Sequence, residues 1–154
     1  MKLNRRGFIH RVSLGVFTVA LGSSAIPRLA HAVALPNDIQ RAKDKKNLAG
    51  LEKEHTPILK VPLVAEDGRV VPVEMTLDHP MENDHYIESV TFVVIDDPIA
   101  SKCMYNFTPQ SGKPFLKFQT RMDAGTKTVS AIIQCSKHGR WVGDAVMRIV
   151  GGGC

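Results

Sequence analysis

The sequence has no internal repeat, no low-complexity tract and no phosphate-binding loop. Solenoid architecture, a compositionally disordered chain and P-loop nucleotide chemistry are thereby excluded. Cysteine is scarce. Cys103, Cys135 and Cys154 are the only three, so at least one is unpaired and no disulfide framework carries the fold. Long hydrophobic runs are also missing. The best candidate, Val12 to Ala20 and on to Ile26, is broken by Ser and Gly and ends at Pro27, too short and interrupted for a stable membrane anchor.

An excess of one charge is missing as well, once the N-terminus is set apart. Asn4-Arg5-Arg6-Gly7-Phe8-Ile9-His10 is a paired-arginine segment ahead of that apolar stretch, and Ala30-His31-Ala32 is a small-residue cleavage pattern. Residues 1–32 read as a twin-arginine export signal, which implies a periplasmic protein exported already folded. The segment contains Lys2, Arg5, Arg6, Arg11 and Arg28 and no acid. Removing those five of the 20 Lys and Arg leaves 15 against 15 Asp and Glu. The precursor's net charge of +5 therefore gives no reason to expect a nucleic-acid partner.

What is present is strand. Residues 33–50 read as a linker with a short helix over Asp38 to Lys46, N-capped by Asn37. From Ile58 the pattern changes to β-branched residues with period two. Strands are expected at Ile58–Val64, Val70–Leu77, Tyr86–Ile95, Cys103–Phe107, Phe115–Met122, Lys127–Cys135 and Ala145–Val150. Asp67-Gly68 reads as a hairpin turn between the first two. Gly139 to Asp144 reads as a turn carrying Trp141. Seven short strands without intervening helices predict an all-β, immunoglobulin-like antiparallel sandwich over 51–150. Roughly 120 residues remain after the signal, enough to bury a core without disulfide staples. Residues 151–154, Gly-Gly-Gly-Cys, form a tail.

Histidine is the most informative residue type. His10 and His31 leave with the signal, and His55, His79, His85 and His138 remain. Each lies at a strand end or in a loop, none within an alternating apolar run. Cys135 stands three residues before His138. Imidazoles suit Fe, Zn, Cu and Ni, and a thiolate adds a soft, strongly donating ligand. Five such donors exceed the four of a closed zinc site. Four imidazoles and one axial thiolate leave a sixth position open, which favours redox-active iron.

Three segments carry a resemblance. Glu52-Lys53-Glu54-His55-Thr56-Pro57, His79-Pro80-Met81-Glu82-Asn83-Asp84-His85-Tyr86-Ile87 and Cys135-Ser136-Lys137-His138-Gly139-Arg140-Trp141 resemble the iron-site motifs of superoxide reductases (desulfoferrodoxin and neelaredoxin). The resemblance implies one mononuclear Fe2+/Fe3+ centre on His55, His79, His85, His138 and Cys135. It also implies reduction of superoxide to hydrogen peroxide and an external electron donor. The family places a Lys directly before its first ligand His and a Glu before that Lys. Here Glu54 precedes His55 and Lys53 lies one further back. Either Lys53 supplies the cation through a local bulge, or Glu54 acts as sixth ligand; Lys137 is a substitute cation. The chain has no four-cysteine rubredoxin-like site.

A second resemblance spans the rest of the chain. Leu59-Lys60-Val61-Pro62-Leu63-Val64-Ala65-Glu66-Asp67-Gly68, Val71-Pro72-Val73, Phe107-Thr108-Pro109-Gln110-Ser111-Gly112, Thr120-Arg121-Met122 and Val150-Gly151-Gly152-Gly153-Cys154 are similar to the sulfur-carrier protein SoxY. That resemblance implies sulfur intermediates held on Cys154 at the end of a glycine arm, and a SoxZ-like partner or a second copy. It differs from the family at the tail, where no glycines follow Cys154. Small sulfur species join superoxide as candidate substrates. Cys103, at no ligand spacing, is either a buried or half-buried thiol or a disulfide partner of Cys154.

Overall fold

The computed structural model describes residues 37–152, all within one compact unit. The export signal, its cleavage pattern and Cys154 lie outside the described residues. Among those described, no helix is long and apolar enough to cross a membrane.

Nine strands and one short helix follow in the order β1 (Ile39–Arg41), α1 (Leu51–His55), β2 (Ile58–Lys60), β3 (Val64–Asp67), β4 (Val71–Thr76), β5 (Ile87–Ile95), β6 (Ser101–Asn106), β7 (Phe115–Thr120), β8 (Gly125–Cys135) and β9 (Gly139–Gly151). The larger sheet runs β1-β9-β8-β5-β6, and β3 also pairs with β9. The smaller sheet runs β2-β4-β7. The two sheets form an all-β sandwich, as the period-two pattern predicts.

Alternation builds the core. Val71, Val73 and Met75 on β4 point inward while Pro72 is exposed. They meet Val90, Phe92 and Val94 of β5, Val129, Ala131 and Ile133 of β8, and Met147 and Ile149 of β9 in one buried cluster. Each of the Val, Ile, Phe and Met side chains contributes about 1.5–3 kcal/mol when taken from water. Phe92 and Phe118 meet edge to face at 4.6 Å, joining the two sheets.

Four expectations are corrected. Asp38 to Lys46 is not a helix: residues 39–41 form β1, parallel to the start of β9. So short a helix with no apolar face is unstable alone, whereas the edge of β9 offers ready backbone partners. Ile58–Val64 is two strands, because Val61-Pro62-Leu63 breaks the ladder and sends the chain between sheets. The Asp67-Gly68 turn is no hairpin. It joins β3, parallel to β9, to β4 in the other sheet. Residues 139–144 are strand, not turn. The chain reverses within Ser136-Lys137-His138, where Gly139 takes φ 72°, and Trp141 lies on β9 opposite Ile133.

Candidate metal centre

Five elements deliver the donors to one end of the sandwich. His55 is the last residue of α1. His79 follows β4, and His85 lies just before β5. Cys135 ends β8, and His138 sits in the turn before β9. His55, His79 and Cys135 are buried, and His85 and His138 are half-buried.

The four imidazoles form a closed ring. Neighbouring ring centroids lie 4.8 Å apart for His55–His79, 4.5 Å for His79–His85, 4.8 Å for His85–His138 and 4.7 Å for His138–His55. All four pairs are near-perpendicular, while His55 and His85 face each other across the ring at 5.8 Å. His55 Nε2 stands 3.2 Å from His79 Nε2 and 3.1 Å from His138 Nδ1. His85 Nε2 stands 3.1 Å from His138 Nδ1. Cys135 Sγ completes the set, 3.5 Å from His79 Nε2 and 3.7 Å from His138 Nδ1.

Hydrogen bonding fixes the protons on two of the rings. His55 Nδ1 donates to the Leu51 carbonyl at 2.8 Å, and His79 Nδ1 donates to the Pro80 carbonyl. A carbonyl only accepts, so both Nδ1 atoms carry hydrogen. Burial lowers the pKa of His55, although its bond to Leu51 works the other way. Burial likewise pushes His79 down to about 4. Both rings are then neutral at pH 7, and their Nε2 atoms are bare lone pairs facing each other.

That arrangement fits a metal ion. Two acceptors at 3.2 Å repel unless a cation lies between them. Nitrogens bound at right angles to a metal at about 2.1 Å stand about 3 Å apart, near the separations observed. Backbone carbonyls holding Nδ1–H are the usual outer support of imidazole ligands. His55, His79, His85 and Cys135 present donors all within 4.8 Å of one another, and His138 lies in contact with three of them.

The other candidates divide. Lys53 and Glu54, both exposed on α1, line an open cleft of about 420 Å³ with Asp78, His79 and Pro80. Lys137 is paired to Asp84 at 2.7 Å on the surface. Cys103 is a free, half-buried thiol on β6, its pKa raised by burial. Two further residues support the ring. Trp141 Nε1 donates to the His138 carbonyl at 3.2 Å, and its ring lies 5.4 Å from that of His55. Gln40 Nε2 donates to the same carbonyl at 2.8 Å. Trp141 stood in a recognised motif, but nothing local marks Gln40.

No curated protein matches this chain. Solved structures do. A variant of the superoxide reductase (neelaredoxin) of Ignicoccus hospitalis aligns with TM-score 0.60 and 18% identity, over 72% of this chain and 94% of that one. A putative superoxide reductase of Thermotoga maritima aligns with TM-score 0.58 and 19% identity, over 72% and 93%. The sulfur carrier protein SoxY of Chlorobium limicola aligns with TM-score 0.48 and 20% identity, over 72% and 81%. At such identities the two reductases establish a shared fold. The sequence itself matches a family model, sulfur oxidation protein SoxY, over residues 45–154. Since that match takes in most of the chain, the protein belongs to the SoxY family.

Proposed function

We propose that this is an exported, periplasmic SoxY-family protein that holds one iron ion and reduces superoxide to hydrogen peroxide. The observation that carries the reading is the pair of bare imidazole lone pairs, His55 Nε2 and His79 Nε2, facing each other at 3.2 Å. Around them His85, His138 and Cys135 bring the donors to five. Four nitrogens and a thiolate exceed what a closed zinc site uses. When bound, iron supplies a one-electron Fe2+/Fe3+ couple.

The chain's own residues do the rest. His55, His79, His85 and His138 would hold the ion, and Cys135 Sγ, 1% exposed, would add a soft, strongly donating ligand shielded from water. Lys53 in the cleft beside His79 attracts an anionic substrate and steadies its charge. Glu54 on the same cleft competes with it as an anion. Superoxide takes one electron and two protons to become hydrogen peroxide. The protons come from water, and the electron comes from an external one-electron donor.

Metal analysis with anaerobic superoxide-consumption kinetics tests this. Wild type is expected to carry about one iron per chain and to consume superoxide without releasing oxygen. His85→Ala should lose both the iron and the activity. A protein that takes up zinc but no iron sinks the reading.

A second reading is favoured by the extent of the family match, which runs through Cys154. In it Cys154 carries a sulfur intermediate and a SoxZ-like subunit or second copy docks on the domain.

A further inference from the structure

We infer that Gln40 is a positioning residue for His138, acting from a strap, β1, that clamps the ligand turn between β8 and β9. The inference rests on the metal-centre reading for its purpose, but its geometry stands independently.

The strap is a specific contact. Gln40 pairs with Trp141 in the parallel β1–β9 register. Its side chain reaches past that strand to the His138 carbonyl, a residue 98 positions away. Trp141 Nε1 donates to the same oxygen. A carbonyl oxygen has two lone pairs, and these two donors fill both. Ion pairs pin the strap on either side of Gln40. Asp38 accepts from Arg140 Nη1 through both carboxylate oxygens, at 3.1 and 3.2 Å. Arg41 pairs with Asp144, whose side chain is 7% exposed. Arg140 also donates to Gln134 on β8, so the residue that Asp38 holds on β9 is tied in turn to the other strand of the hairpin.

His138 needs this clamp more than its neighbours do. Its Nδ1 is the atom that faces the cluster, whereas His55, His79 and His85 present Nε2. Nδ1 lies next to Cγ, one bond from the point where the ring joins the chain. Its position therefore follows the backbone of residue 138 closely, with little side-chain lever to correct an error. Backbone support of His55 comes from α1 through Leu51. For His138 it comes from a three-residue turn held at its carbonyl. The family match begins at residue 45, so the strap lies outside the matched region.

Two readouts on the full chain test the inference. Gln40→Leu removes the donor and keeps the bulk, and Gln40→Lys restores a donor of similar reach. In metal-free protein, NMR order parameters of Lys137, His138 and Gly139 should fall in Gln40→Leu from about 0.85 toward 0.6 and recover in Gln40→Lys. The melting temperature should stay near that of wild type. In protein loaded with Co2+, Gln40→Leu should release the ion about tenfold faster and shift the thiolate-to-cobalt charge-transfer band, again with recovery in Gln40→Lys. Unchanged order parameters in Gln40→Leu overturn the strap, as does an unchanged release rate in a wild type that binds Co2+. A wild type that takes up no Co2+ overturns the metal reading instead, and the order parameters still decide the strap.

Discussion

At the scale of single residues, the centre depends on groups with no chemistry of their own. Gly143 on β9 is the clearest case. A Cβ placed there would lie 2.0 Å from the Pro57 carbonyl oxygen and 3.0 Å from Pro57 Cγ. No real contact is that short, and backbone rather than a flexible side chain stands in the way. Gly143 thus lets the segment His55-Thr56-Pro57 lie flat against β9, which sets how deeply His55 enters the ring. Gly143→Ala is expected to cost about 1–3 kcal/mol through overpacking and to lower Co2+ affinity by displacing His55. Urea unfolding and Co2+ titration measure the two effects, and an unaltered titration would refute the link to His55. The ligands themselves were legible, because His and Cys are rare and their spacing is distinctive. Gly143, the Leu51 carbonyl and Gln40 were not. A carbonyl belongs to every residue, and close approach of two backbones leaves no local mark on either.

At the scale of elements, period-two alternation found most of the strands, because each has one face in the core. It missed β1, whose three residues include one of intermediate burial and two exposed, and it fused β2 with β3. What decides those segments is the free edge of β9, a partner distant in sequence. The bend between β5 and β6 shows a different kind of element-level control. Asp96 adopts φ 64°, a left-handed conformation that Asp tolerates, and its carbonyl accepts from the buried Lys127 amine. Next to it Asp97 and Lys102 pair at 2.7 Å with side chains only 5% and 8% exposed. Burial pushes Asp97 up, but hydrogen bonds from Lys102 and from the Asp123 and Ile99 amides, with the Lys102 charge, hold it below its ordinary 3.8. A folded-state carboxyl more acidic than the unfolded one adds stability above the unfolded pKa and loses it as pH falls through the folded value. Asp97→Asn leaves the Lys102 ammonium buried without its counter-charge, at a cost on the order of 3 kcal/mol near neutral pH. The penalty should shrink below pH 4. Thermal unfolding from pH 2 to 7 checks this, and a deficit that does not narrow in acid would argue against the assignment.

At the scale of the whole molecule, the donor cluster and the last described residues lie at opposite ends of β9. The donors cluster where β8 turns into β9, within Cys135–His138 and the elements beside it. From there β9 runs thirteen residues, Gly139 to Gly151, which at about 3.3 Å per residue is about 40 Å. Its far end is paired: Asp67 of β3 is in register with Gly151, and the Gly68 amide donates to the Gly151 carbonyl at 2.9 Å. Beyond Gly152 two residues extend the reach to Cys154 by only about 7 Å. A thiol on that tether cannot return to the imidazole ring of its own domain while β9 stays paired. Sulfur carried on Cys154 would therefore meet a metal centre only on another molecule. Disulfide trapping tests this with Lys53→Cys, which places a thiol in the cleft beside His79. Mild oxidation should link that thiol to Cys154 only between chains, in a yield that falls on dilution, as non-reducing gels and peptide mapping would record. A cross-link within one chain that persists on dilution would mean that β9 releases its last residues from β3. That outcome would put Cys154 within reach of the imidazole ring of its own chain.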